Sequence, residues 1–264
     1  MICTVRQGDS VAGGTLSGVT EVLRCDCDSF SRIPDPFMVI SKGESGAAPG
    51  STLRRLHQGK RRADILAGAR RLLASEGINR IGMRSVADVG HVAVQTVYNL
   101  VGDRTLVLGS AVVEYVMAMA QFACIQEGYP NYLLALCDTY WQCFDRHREY
   151  MRNATLTYFP PDRPLYAQIH NCGTRLFESA LRQLAADGSL REGVEPASLA
   201  PHVNSLVAIT MLDGVSGVRS TVELRRELLT GSAFMLMNVV NATAAARIDS
   251  WLQQLKDQAF RQVG

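Results

Sequence analysis

From Arg61 onward, apolar residues recur at helical spacing. Ala63, Leu66, Ala69, Leu72 and Leu73 make one stripe, and Gly77 stands where a C-terminal cap would stop the run. The pattern predicts a first helix of about fifteen residues. Arg84 to about Val89 predicts a short second helix, and after a turn at Gly90–Val92 a third runs from Ala93 to Leu100. Gly102 breaks it. Asp103 is a good N-cap for a long helix from Leu106 to about Ile125, with Leu108, Val112, Tyr115, Met119 and Phe122 on one side. A further helix is expected from Pro130 to about Asn153, followed by a loop at 159–164, whose prolines cannot sit in a helix interior. The remaining periodic segments predict helices at about Leu165–Asp187, Ala197–Arg219, Val222–Asn241 and Ala242–Arg261. No segment alternates as a strand would, and none repeats. The expected fold class is all-α.

Residues 1–53 read differently. They are rich in Gly, Ser, Asp and Pro, with no sustained period, and are expected to form a disordered extension. Within them only Val19–Leu23 could form a helical turn and Phe37–Ile40 a short strand.

The 264 residues suit one large domain or two modest ones, and 47% hydrophobic with 20% charged residues suits a protein with a real core. No uninterrupted apolar run has membrane-spanning length, and residues 1–23 lack the apolar core of a secretory signal. The expectation is a cytoplasmic protein without membrane attachment. Seven scattered cysteines give no disulfide framework and suit a reducing compartment.

Charge changes the picture. The net charge is only +2, yet residues 51–104 hold ten Lys/Arg against four Asp/Glu. A basic block inside a near-neutral chain fits a nucleic-acid module on a scaffold with another task, although a solvated basic face would look the same. The block also contains the parts of a helix-turn-helix. Ala87 is a small residue for the helix crossing, and Val86, Val92 and Val97 can lock the second helix down.

Residues 62–108 resemble the TetR family of transcriptional regulators. The resemblance rests on Ile65-Leu66, Ala69-Arg70-Arg71-Leu72, Gly77, Arg84-Ser85-Val86-Ala87, Thr96-Val97-Tyr98 and Gly102-Asp103-Arg104, in order and spacing. It continues more loosely through residues 187–196 and Leu212-Asp213-Gly214. Four positions depart from the pattern. His91 replaces a turn glycine, Ala93 a capping serine, Leu100-Val101 an aromatic, and Gly82 a capping threonine that touches phosphate. These departures imply a weaker or differently tuned hold on DNA.

The resemblance implies a helix-turn-helix DNA-binding domain at 54–104 and a helical ligand-sensing and dimerisation bundle at 105–264. Gln95 and Asn99, four apart on the outer face of the third helix, are the base-reading candidates. Thr96 and Tyr98 match positions that touch the DNA backbone, and Arg104 matches a phosphate-binding lysine. Arg84 and the Lys60-Arg61-Arg62 cluster can add electrostatic grip. The expected partners are double-stranded DNA, a second copy of the chain through the helices at about 197–219 and 222–241, and a small-molecule ligand of unspecified identity. The expected role is a ligand-responsive repressor on a palindromic operator. Tyr115, Met119, Phe122, Tyr140, Trp141, Phe144 and Phe177 are the candidate ligand-lining residues.

Other readings stay open. The larger domain could serve only assembly. Cys143 and His147, at i and i+4, with Cys137, Cys172 and His170, could make a metal or thiol sensor, although free cysteines usually pack as small hydrophobes. No Gly-rich phosphate loop, Gly-x-Ser-x-Gly elbow or His-Glu-x-x-His pair is present, so no catalytic residue, metal site or cofactor is expected.

Overall fold

The structure, a computed structural model, describes residues 49–156 and 163–261, and α-helices account for most of them. The candidate turn at 19–23 and strand at 37–40 lie outside the described residues.

Helix α1 (Pro49–Ser75) begins well before the expected start at Arg61. Residues 54–58 are all exposed, so this first stretch carries no buried stripe and left no period to read. Proline suits a first helical turn, where its missing N–H costs nothing. Farther along, Ile65, Leu66, Ala69, Leu72 and Leu73 are buried. Gly77, at φ 75°, turns the chain into a single 3-10 turn (Ile78–Arg80). Helices α2 (Met83–Val89) and α3 (Val94–Leu100) follow as expected.

Helix α4 (Arg104–Cys124) starts at Asp103, whose carboxylate accepts the Leu106 N–H at 2.9 Å. By length and composition it could cross a membrane, with a mean hydropathy of 1.6. Many of its apolar residues are instead packed inside this chain, Val107, Leu108, Val112, Val116 and Met119 all being buried.

The single helix expected from Pro130 to Asn153 is two. Helix α5 (Tyr132–Arg146) is capped by Asn131, which accepts from the Leu134 N–H at 3.0 Å, and α6 (Arg148–Thr155) sets off in a new direction. The break is at His147, whose φ of −117° and ψ of 48° leave the helical region. Neither Pro nor Gly marks it. The reorientation brings Tyr150, Met151 and Ala154 into the core and lets Asn153 donate to the Leu73 carbonyl at 2.6 Å, fastening α6 to the end of α1.

Helices α7 (Arg163–Ala186), α8 (Pro196–Ser216), α9 (Thr221–Met237) and α10 (Ala242–Arg261) complete the chain. Ser220 and Glu223 open α9 with a reciprocal capping box. Leu190 and Val240 make one isolated antiparallel bridge between the loops before α8 and α10. Helix α4 packs against α1, α5 and α7, while α7 lies along α8 and α5 against α9.

Two polar clusters cross-link this core. Glu114 of α4 receives Arg62 at 3.2 Å and Arg70 at 2.7 Å, both from α1. Asp138 of α5, fully buried, takes a two-pronged contact from Arg225 of α9 at 2.6 and 2.7 Å, with Gln142 and Tyr129 as further donors.

Candidate nucleic-acid interface and internal cavity

The interface candidate is built around Val97. With Val86 and Ala87 it is buried, while Val92, Val94 and Leu100 pack half-buried against the same core. These apolar positions fix the rotation of α3, which leaves Gln95, Tyr98 and Asn99 exposed. Tyr98 is 47% exposed, a large value for an aromatic residue in a well-packed unit. Thr96 is half-buried, and Arg84 is exposed on α2.

The turn between α2 and α3 shows what its sequence departures do. His91 has φ +50°, a left-handed conformation that glycine adopts without cost and a side chain bearing Cβ does not. Ala93 occupies the N-cap of α3 and supplies no side-chain acceptor; its backbone carbonyl accepts from Thr96 at 2.8 Å. Gly82 likewise opens α2 uncapped.

Two candidates have local partners. The Gln95 amide donates to the Asn99 side-chain oxygen at 3.0 Å, a link within reach of solvent. Arg104 turns inward: its Nε donates to the Ile81 carbonyl at 2.8 Å, and a second nitrogen donates to the Ile78 carbonyl. The guanidinium thus braces the loop between α1 and α2. Its remaining N–H groups are still donors, because arginine carries five.

Farther along, α4 to α8 line a partly open cavity of about 50 Å³. Tyr115 and Met119 of α4 and Tyr140 of α5 line it. Phe122, Trp141, Phe144 and Phe177 do not. Phe122 is half-buried nearer the end of α4. Trp141 and Phe144 stack on each other at 5.2 Å and close over Gly214, where a Cβ would lie 2.8 Å from Phe144. Phe177 stacks behind Tyr140 at 6.1 Å. An aromatic on an apolar stripe serves core and cavity equally well, so the period could not separate the two.

Sequence reasoning missed most of the wall. Tyr150, Met151 and Thr155 come from α6, Ile169 from α7, and Asn204, Val207 and Met211 from α8. The signal for α6 was hidden by the unmarked break at His147. Asn204 is buried, and its amide donates to the His170 carbonyl at 3.1 Å and Thr174 at 3.1 Å, tying α8 to α7. The Tyr150 hydroxyl is buried without a hydrogen-bond partner, and burial holds it protonated, well above the ordinary tyrosine range. Among the described residues that line the cavity, none is Lys, Arg, Asp, Glu or His.

Cys137 and Cys172 take ordinary core positions, Cys143 is half-buried and Cys124 exposed. Burial pushes the Cys137 thiol up to about 12, and that of Cys172 up to about 11. Neither supplies thiolate near neutral pH. His147 closes α5 and packs edge-on to Tyr115 at 6.2 Å, and burial lowers its proton affinity. Among the described residues, no group of three or more His, Cys, Asp or Glu could hold a metal ion.

No protein-family model matches this sequence, and no curated protein matches it. Solved structures do. A TetR-family regulator from Rhodococcus sp. superposes with a TM-score of 0.53 at 19% identity, covering 67% of this chain and 98% of its own. The R. erythropolis transcriptional repressor QsdR, also of the TetR family, gives 0.51 at 18% identity, covering 69% and 96%. The Thermus thermophilus repressor FadR, solved with lauroyl-CoA, gives 0.52 at 16% identity, covering 64% and 91%. The helix-turn-helix with its locked α3, leading through α4 into a larger helical bundle, has the fold of the TetR-family transcriptional regulators.

Proposed function

We propose that this protein is a DNA-binding transcriptional regulator that acts as a homodimer on a roughly palindromic operator, represses there, and is released by a small ligand in its larger domain. The reading also places it in the cytoplasm, where its DNA is. The observation that carries it is the rotation of α3: Val97 buried, Gln95, Tyr98 and Asn99 outward, on a segment with six surplus positive charges at 51–104. A short helix held this way can lay its polar face in a major groove, with the two amides reading base edges and Thr96 and Tyr98 on the backbone. Arg84 adds electrostatic grip. Arg104 acts first as a brace for the α1–α2 loop and offers phosphate only its remaining donors.

The dimer reading is supported by apolar side chains left on α8 and α9. Ile209 is 52% exposed and Phe234 54% exposed, an arrangement that a second copy of the chain would cover. Two α3 helices in such a dimer would meet half-sites about one DNA turn, ~34–36 Å, apart.

Control is carried by helices shared between the two ends. Helix α4 starts at the Arg104 brace and lines the cavity through Tyr115 and Met119, while α6 lines it through Tyr150 and holds α1 through Asn153. A ligand that enlarges the cavity would move both. The lauroyl-CoA of the Thermus protein is not carried over, because a cavity of about 50 Å³ without a cation suits neither a long acyl chain nor a phosphorylated carrier.

The test is selection of preferred duplexes from random DNA by the full chain, followed by binding at several salt concentrations with mass measured by light scattering. Enrichment of an inverted repeat, a 2:1 complex and steep salt dependence are expected. A monomer bound equally to all sequences would overturn the reading.

A further inference from the structure

We infer that the cavity is shaped for a compact, uncharged ligand with an apolar body and one hydrogen-bond acceptor, to which the Tyr150 hydroxyl donates. The inference rests on the ligand-responsive reading above and specifies the chemistry of that site. Three observations carry it.

The first is the orphaned donor. Tyr150 is 6% exposed, lines the cavity, and its hydroxyl has no hydrogen-bond partner among the described residues. A buried polar group left unsatisfied is destabilising, so an acceptor arriving in the cavity gains a hydrogen bond that the free protein lacks. The second is the absence of charge among the described lining residues. A carboxylate or phosphate buried there would lose its hydration without a cation to replace it. Arg70, whose charge acts on Tyr150, is already held by Glu114 at 2.7 Å. The third is the wall itself. About 50 Å³ is smaller than the roughly 150 Å³ of an engineered cavity that admits benzene, so a ring-sized guest must displace side chains. Met119, Met151 and Met211 all line the space, and the unbranched thioether is the apolar side chain that repacks most easily.

The experiment uses the full chain without DNA, three probes of one shape, and methionine-methyl NMR as the readout. Cyclohexanone supplies an acceptor, methylcyclohexane none, and cyclohexanecarboxylate a charge. Cyclohexanone is expected to shift the methionine methyls and bind best, and the carboxylate to leave them unmoved. Tyr150→Phe should weaken cyclohexanone about two- to tenfold and leave methylcyclohexane unchanged, the loss of one hydrogen bond. It should also raise Tm by a few degrees, since the unsatisfied hydroxyl is gone. Tighter binding of the carboxylate, no binding of cyclohexanone at millimolar concentration, or unchanged cyclohexanone affinity in Tyr150→Phe would overturn the inference. Tyr150-dependent cyclohexanone binding that leaves operator affinity untouched would uphold it and overturn the ligand-responsive reading instead.

Discussion

The two ends of this molecule place their polar groups by opposite means. At the α3 end, two short helices and the end of α1 bury a small apolar set around Val97 and turn Gln95, Tyr98 and Asn99 out to water, where their hydrogen-bonding groups are satisfied at no cost. At the cavity end, five helices turn Tyr150 and Asn204 inward, where each polar atom needs a partner. Asn204 has found three on α7, whereas the Tyr150 hydroxyl has found none. An outward polar face suits a partner that is large, hydrated and charged. An inward face that presents the Tyr150 donor suits a partner that is small, dry and uncharged. The same chain therefore offers two recognition chemistries, joined by α4 and by the α6–α1 contact.

The largest effect that separates the ends is expected from Phe144→Ala. Phe144 is 1% exposed and stacked on Trp141, so truncation leaves a hole beside α8 worth about 3–5 kcal/mol. Chemical denaturation should show that loss, while operator preference measured below the unfolding midpoint stays unchanged. A changed sequence preference would mean the ends are not separable.

Next comes Arg225→Ala, which leaves Asp138 buried among Tyr129 and Gln142 without its cation. Breaking a fully buried pair costs ~3–5 kcal/mol; Arg225 is 42% exposed, so about 2–3 kcal/mol is expected here. The pair also sets an acid limit. Burial by itself would raise the Asp138 pKa, but the bonds from Arg225, Tyr129 and Gln142 outweigh it and leave the carboxyl below its ordinary value. A lowered folded-state pKa stabilises the protein above the unfolded value of about 3.9 and loses that contribution as pH falls below it. Wild-type protein and Asp138→Asn should therefore differ in stability at pH 6, and the gap should narrow as pH falls below about 3.9. A constant gap would show that the carboxylate's charge is irrelevant.

The smallest effects lie in the turn before α3. Ala93→Ser supplies the missing N-cap and should stabilise by about 1 kcal/mol. His91→Gly removes a left-handed non-glycine residue and should add about 0.5–1 kcal/mol. Thermal melts of the two variants check both values. If either variant melts lower, the imidazole or the alanine makes a contact that outweighs the backbone argument.

The same contrast explains what the sequence made legible. The helix-turn-helix is short and local, and its locks and exposed face follow from residue order within about forty-five residues. Asp103 capping α4 was readable for the same reason. The cavity depends on which helices meet across more than ninety residues, from Val112 to Met211. Period alone marked Tyr115, Met119 and Phe144 equally, although only the first two face the cavity. The start of α1 was hidden because its exposed turns carry no stripe, and the α5–α6 break because His147 is neither Pro nor Gly. Arg104 was legible as a basic residue at a helix start, but its inward turn to the Ile78 and Ile81 carbonyls depends on a loop whose path the sequence does not show.

The central claim is that the outward face of α3 reads base sequence while the surrounding cations only hold the DNA. Competition binding of wild-type protein, Gln95→Ala, Asn99→Ala and Arg84→Ala, each on the selected operator and on random duplex, tests it most directly. The two amide variants should lose about 1–3 kcal/mol on the operator and nothing on random DNA, narrowing the specificity ratio. Arg84→Ala should weaken both duplexes alike and reduce the salt slope by about one. Equal losses on both duplexes for all variants would contradict the claim and leave α3 as one more part of a non-specific basic surface.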